Sequence, residues 1–369
     1  MKYAKRLAIP LLALALMALF AVSRAEDKLG SYQLLKTIPV PGDLAGGFDI
    51  SWVDSASERY YLADRTTGSV DVVDAEHDIY LHSIHGFQGV QPASGTSGPN
   101  GVLVIHKEHE LWAGDGNSTA KVVDLNNGPS AVPFAIPTFT PCPGAPPSSH
   151  RADELAYDSI DHVILIANDR DTPPFLTFIS QEHRSVLGGI CYPQAVFPDV
   201  AGGPAVNHGL EQPLWNSRTR KFYISVPATS TNTNGEVDEI DPKSMMVTRV
   251  FAIHTPCGPA GLALLPKQRL MTSCGVVLGV KTGGTLATIQ NASGDEIWFN
   301  SGDGRVYFGG QPMAVVDADN YAVITTLPVG NTHSVAVNKE NNHIFVPVRP
   351  DPVTGGGGIQ VWTETDDDQ

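Results

Sequence analysis

Charge is scarce in this sequence, and positive charge is scarcest. Asp, Glu, Lys and Arg make up 17% of the 369 residues, with 24 Lys and Arg against 39 Asp and Glu and a formal net charge of −15. Binding to a phosphate backbone needs a stripe of Lys and Arg. No such stripe is present, so no nucleic acid partner is expected, and anionic lipid is disfavoured for the same reason. Cysteine is also rare, with four in all and no CxxC among them. That removes the usual cysteine-rich metal sites, and the missing CxxCH removes covalent c-type haem. Walker, HExxH and serine-elbow sequences are missing, so no short motif names a reaction. Beyond the N-terminus no apolar run is long enough to cross a bilayer.

The N-terminus itself is a targeting signal by composition. Lys2, Lys5 and Arg6 precede an apolar run from Leu7 to Val22, and Ser23-Arg24-Ala25 places small residues at the −3 and −1 positions. Residues 1–25 are therefore expected to be a cleaved signal peptide. The product would be a secreted or periplasmic protein with no membrane span, and a monomer. In an oxidising compartment the cysteines imply two disulfides, with three pairings open. The favoured one joins Cys257 to Cys274 and Cys142 to Cys191.

What is plentiful is turn-forming residues. Gly (36) and Pro (28) both exceed the average usage of about 7% and 5%, which is the composition of many short strands separated by turns. A weak unit repeats. In its first copy a strand Phe48-Asp49-Ile50-Ser51-Trp52-Val53-Asp54 is followed by Arg59 to Asp64, by Ser69-Val70-Asp71-Val72-Val73-Asp74, and by Tyr80 to Ile84. Other copies open near Asn100 and at Asp153, Glu211, Gly261, Asp295 and His333. Seven units of roughly 35 to 58 residues suit four-stranded propeller blades. The second copy aligns poorly, which leaves six or eight as neighbouring counts. The last unit has three strands (Ser334 to Val337, His343 to Val348, Gly358 to Thr363), and Tyr32 to Val40 is a strand without a unit. Joined, they close a ring and remove an exposed edge. The expected fold is all-β: a seven-bladed β-propeller over residues 26–363, closed by the N-terminal strand, with an acidic tail at 364–369.

Units such as Gly68-Ser69-Val70-Asp71-Val72-Val73-Asp74 and Met313-Ala314-Val315-Val316-Asp317-Ala318, with Asp ending the third strand, resemble the YVTN-type seven-bladed propellers of exported bacterial proteins. These in turn resemble the lactonase-like propellers. The likeness covers nearly all of 32–363 and specifies fold better than function, since such propellers include hydrolases, electron-transfer subunits and binding modules.

In a propeller the first strand of each blade lines the central channel, so the residues that open the units converge. Around the ring these are Asp49, Asn100, Asp153 with Glu154, Glu211 with Gln212, Gly261, Asp295 with Glu296, and His333. Side chains alternate along a strand, so one member of each pair points inward; the sequence leaves open which. Converging carboxylates repel unless a cation or protons offset them. Hard oxygen ligands of this kind suit a divalent metal (Ca, Mg, Mn or Zn), with Asp49 among the candidates, and the lactonase-like resemblance implies Glu154, Glu211, Glu296 and Asn100 as its ligands. His333, His208 and His150 are candidate general bases. Arg65, Arg151, Arg170 and Arg349, on loops of the same face, either neutralise the acids or clamp a substrate carboxylate. A plainer reading has the acids locking blades by accepting backbone N–H groups. Trp52, Trp215 and Trp298 share one place in the unit and are expected to pack between blades.

Two functions follow. One is a metal-assisted, lactonase-like hydrolase or lyase. The other is a non-catalytic propeller that binds a small molecule or a partner protein at its top face, with a subunit of a periplasmic redox system as a variant.

Overall fold

A computed structural model describes residues 31–91, 96–145, 150–193 and 209–365. The segment 1–25, expected to be a signal, and His208 lie outside them. Seven four-stranded antiparallel sheets form a seven-bladed propeller. Blade 1 consists of Phe48–Asp54, Arg59–Asp64, Ser69–Asp74 and Ile79–His85. The first strands of the next five blades are Val102–Ile105, Leu155–Asp158, Pro213–Asn216, Leu262–Leu265 and Ile297–Asn300.

Blade 7 closes the ring. Its chain-terminal members are Ala336–Val337, Ile344–Val348 and Gly358–Thr365, and its outer strand is the N-terminal Ser31–Ile38. Ser31 pairs with Thr365 and Ile38 with Ile359, with a bulge between Leu34 and Lys36. The last strand runs to Thr365, two residues into the segment read as tail, because Glu364 is held by Arg305 at 2.7 Å.

The repeat's Asp and Asn residues are turn-makers. Asp74 Oδ1 accepts from the backbone N–H of Glu76 (3.1 Å) and His77 (2.9 Å). Asp317 does the same with Asp319 (2.8 Å) and Asn320 (2.9 Å). At the ends of first strands, Asp158, Asn216 and Asn300 accept from the residue two further on. A side chain that copies a backbone turn fixes where each strand stops.

Burial lies between blades. Tyr60, Leu62 and Val73 of blade 1 pack with Ala336, Phe345 and Val361 of blade 7, and Leu165 and Phe178 of blade 3 with Phe222 and Ile224 of blade 4. Corresponding clusters join every other neighbouring pair. No blade can bury its faces alone, so each depends on its two neighbours. Cys142 is bonded to Cys191 (Cα–Cα 5.0 Å) and Cys257 to Cys274 (Cα–Cα 5.3 Å). The first bridge ties the linker before blade 3 to that blade's outer strand, Ser185–Cys191, and the second ties the start of blade 5 to its second hairpin. Disulfides of this kind are compatible with an oxidising compartment. Among the described residues no helix is long and apolar enough to cross a membrane.

Candidate functional site

The seven first strands do bring the unit openings to one axis, and close approach there depends on glycine. A Cβ on Gly101 would meet Glu154 Cα at 2.5 Å, and one on Gly261 would meet Asp295 O at 2.4 Å and Ile297 N at 2.8 Å. Blade 5 therefore opens on a residue with no side chain because its neighbour's backbone occupies that space.

The paired acids divide by depth. Glu154, Gln212 and Glu296 line a cavity of about 420 Å³ inside the channel. Glu211 and Asp295 border a separate recess of about 400 Å³, beside Cys257. Asp153 lies against Arg151, with Nη2 2.7 Å from its carboxylate. Alternation along the strand has sent the second residue of each pair inward.

Arginine balances the upper ring. Arg65 is ion-paired to Asp49 and donates to Asn100 Oδ1 from Nε (3.1 Å) and Nη2 (2.6 Å), while Asn100 Nδ2 donates to Ala152 O at 2.7 Å. Arg151 reaches Asp169 through Nε (3.1 Å) and Nη2 (2.9 Å) as well as Asp153. A bulge in the blade 1 first strand, between Phe48 and Ser51, offsets Asp49 from regular pairing. His333 lies at the same corner, stacked on Phe48 with centroids 4.7 Å apart and Nε2 3.4 Å from Asp49 Oδ1. Burial works against the Asp49 charge, but Arg65, the His333 contact and Arg151 outweigh it and hold the carboxyl below its ordinary range. Burial also opposes the charge of Arg151, and Asp153, Asp169 and Asp49 more than restore it.

The remaining candidates sit further out. His150 Nδ1 is 3.5 Å from Asp171 Oδ1, and Arg170 Nε is 3.2 Å from Asp169 Oδ2. Arg349 lies 5.9 Å from the Phe48 ring centroid. Arg65 and Arg151 are thus both engaged in ion pairs with acids of the ring.

The inward carboxyls are different. Glu296 is 2% exposed. It accepts from Ser334 Oγ and from the N–H groups of Val335 (3.2 Å) and Ser51 (3.5 Å). Burial outweighs those bonds and, with Asp295, pushes its pKa up to about 8. Glu154 is 8% exposed, and its Oε2 is buried without a hydrogen-bond partner. Burial, then repulsion from Asp153, Glu211, Asp295 and Asp49, pushes Glu154 well above the usual carboxylate range.

Three of the residues expected to hold a metal have protein partners in this ring. Among the described residues, the His, Cys, Asp and Glu ligand atoms that gather in threes within 4.8 Å are those of Asp74, Glu76 and His77, at a surface turn. Within the ring Asn100 and Asp49 are engaged by Arg65, and Glu296 by Ser334 and backbone N–H groups.

Below the acids the cavity turns apolar, with Ile50, Leu103, Leu264 and the half-buried Trp52, Trp215 and Trp298 on its wall. Trp52 and Trp298, from blades 1 and 6, meet edge to face with centroids 5.4 Å apart at 80°. The Trp215 indole N–H has no partner. The three tryptophans do pack on the inter-blade clusters, but they also face the channel. The sequence signal was their common place in the unit; what hid their second role is that packing and lining use the same side chain.

No protein-family model matches the sequence, and no curated protein matches it significantly. Among solved structures it is similar to the WD40 β-propeller domain of Doa1, with a TM-score of 0.63 and 13% identity over 91% of this chain and 98% of that one. At that identity the likeness establishes the class, a seven-bladed β-propeller, and nothing of the chemistry.

Proposed function

We propose that this protein is a non-catalytic binding propeller that takes a small organic molecule into its central channel. The observation that carries the reading is the cavity of about 420 Å³, walled by indoles and aliphatic side chains, with Glu154, whose Oε2 has no hydrogen-bond partner, at its upper end. Ligand sites of this kind measure about 300–1,000 Å³ and pair an apolar wall with a few polar groups that fix orientation. Within the likeness to YVTN-type and lactonase-like propellers, this is the binding branch, supported by the engagement of Asp49, Asn100 and Glu296 with protein partners. Export to the periplasm or medium accords with the two disulfides.

The test uses the mature protein and its intrinsic tryptophan emission. A panel of aromatic and aliphatic small molecules should contain members that change the emission saturably. The change should disappear when Trp52 and Trp298 are both replaced by Leu. Melting with and without EDTA is the second arm, since a tightly held ion raises Tm by mass action. An unchanged Tm is expected. Stoichiometric metal in the purified protein together with a Tm lowered by EDTA would overturn the reading in favour of the metal-assisted enzyme.

A further inference from the structure

We infer that the channel ligand is an organic cation, an ammonium group carried on an aryl or alkyl body, with its nitrogen at Glu154 and its body against Trp52, Trp215 and Trp298. The inference rests on the channel-binding reading and names the ligand's chemistry.

Three independent features converge. The first is an unmet polar group: Glu154 Oε2 is buried and partnerless, although buried polar atoms are almost always hydrogen-bonded. A cation beside it would favour the ionised, accepting form that burial and the neighbouring acids disfavour in the empty channel. The second is the sign of the surrounding charge. Asp49, Asp153, Glu211 and Asp295 all act on Glu154, while Arg65 and Arg151 are committed to Asp49, Asp153 and Asp169. An anionic group entering here would add to the repulsion, and a cation would relieve it. The third is the wall. Indole faces attract cations through their quadrupole, an attraction that grows when water is excluded, and the same rings bury an apolar body. Acceptor, field and aromatic wall belong to one cavity.

The probes are 2-phenylethylamine, charged at neutral pH, and 2-phenylethanol, its near-isostere with a neutral hydroxyl. Each is titrated by calorimetry and tryptophan emission into wild type and Glu154→Gln at 0.15 M salt. The amine should bind wild type at least tenfold tighter than the alcohol, and Glu154→Gln should remove that preference while leaving the alcohol's affinity within about threefold. Circular dichroism and melting establish that the variant is folded, and the partnerless Oε2 makes the amide substitution mild. Equal affinity of amine and alcohol, tighter binding of the alcohol, or a preference that survives Glu154→Gln would overturn the cation assignment while leaving channel binding intact. Absence of any saturable binding by either probe at millimolar concentration would overturn the assignment and count against the channel reading too.

Discussion

Arg305 and Tyr32 are in contact across the ring seam: the guanidinium stacks 5.5 Å from the tyrosine ring centroid and donates to its hydroxyl. Arg305 also pairs with Glu364 at 2.7 Å. One side chain of blade 6 thus holds both strands that close blade 7.

Arg305→Ala should destabilise the fold by about 1–4 kcal/mol, since it removes a cation–π contact and the hydrogen bonds to both Tyr32 and Glu364. Urea unfolding checks this. Tyr32→Phe, which keeps the ring and the Glu364 pair, should lose only part of it, and equal losses would mean that neither the stacking nor the Glu364 pair contributes.

Arg65 balances a buried carboxylate. Removing one partner of such a pair costs about 3–5 kcal/mol, because the other charge is left buried alone. Arg65→Met should therefore be strongly destabilising, and Asp49→Asn in the same chain should recover most of the loss. A double variant no more stable than Arg65→Met would mean that the hydrogen bonds to Asn100, rather than the Asp49 charge, are what Arg65 supplies.

Glu296 gives the fold a pH dependence whose sign is fixed. Its folded pKa, about 8, stands above the ordinary glutamate value. The folded state therefore holds a proton that the unfolded chain releases. This contribution is complete below about pH 4.3 and is lost as pH rises through 8, with a slope of up to about 1.4 kcal/mol per pH unit. Chemical unfolding from pH 5 to 9 should show the wild type losing stability relative to Glu296→Gln. Parallel profiles would mean that Glu296 ionises normally.

The bridges should differ in worth. They close segments of 49 and 17 residues, for which loop entropy gives about 4 and about 3 kcal/mol. Denaturant melts of Cys142→Ser/Cys191→Ser and Cys257→Ser/Cys274→Ser should rank in that order.

Much of this fold is readable along the chain, because its signals are local. Asp74, Asp158 and Asp317 end strands through their own side chains, and such turns depend on three or four consecutive residues. The lone N-terminal strand and the three-strand last unit pointed to each other by arithmetic. The site was legible only as a set of positions. That Arg65 engages Asn100, that Glu154 faces the cavity and Asp153 does not, and that Trp52 touches Trp298 each depend on side-chain direction between blades. A bulge of one residue, as at Asp49, is enough to change such a direction.

By itself the sequence determined the all-β repeat, the turns, the closing strand and the ring of residues at the channel mouth, since periodicity and turn chemistry act over neighbouring residues. Only the tertiary structure decided which acids are neutralised by arginine and which are left facing an aromatic cavity. Burial and charge pairing are properties of residues that meet in space from opposite sides of the ring.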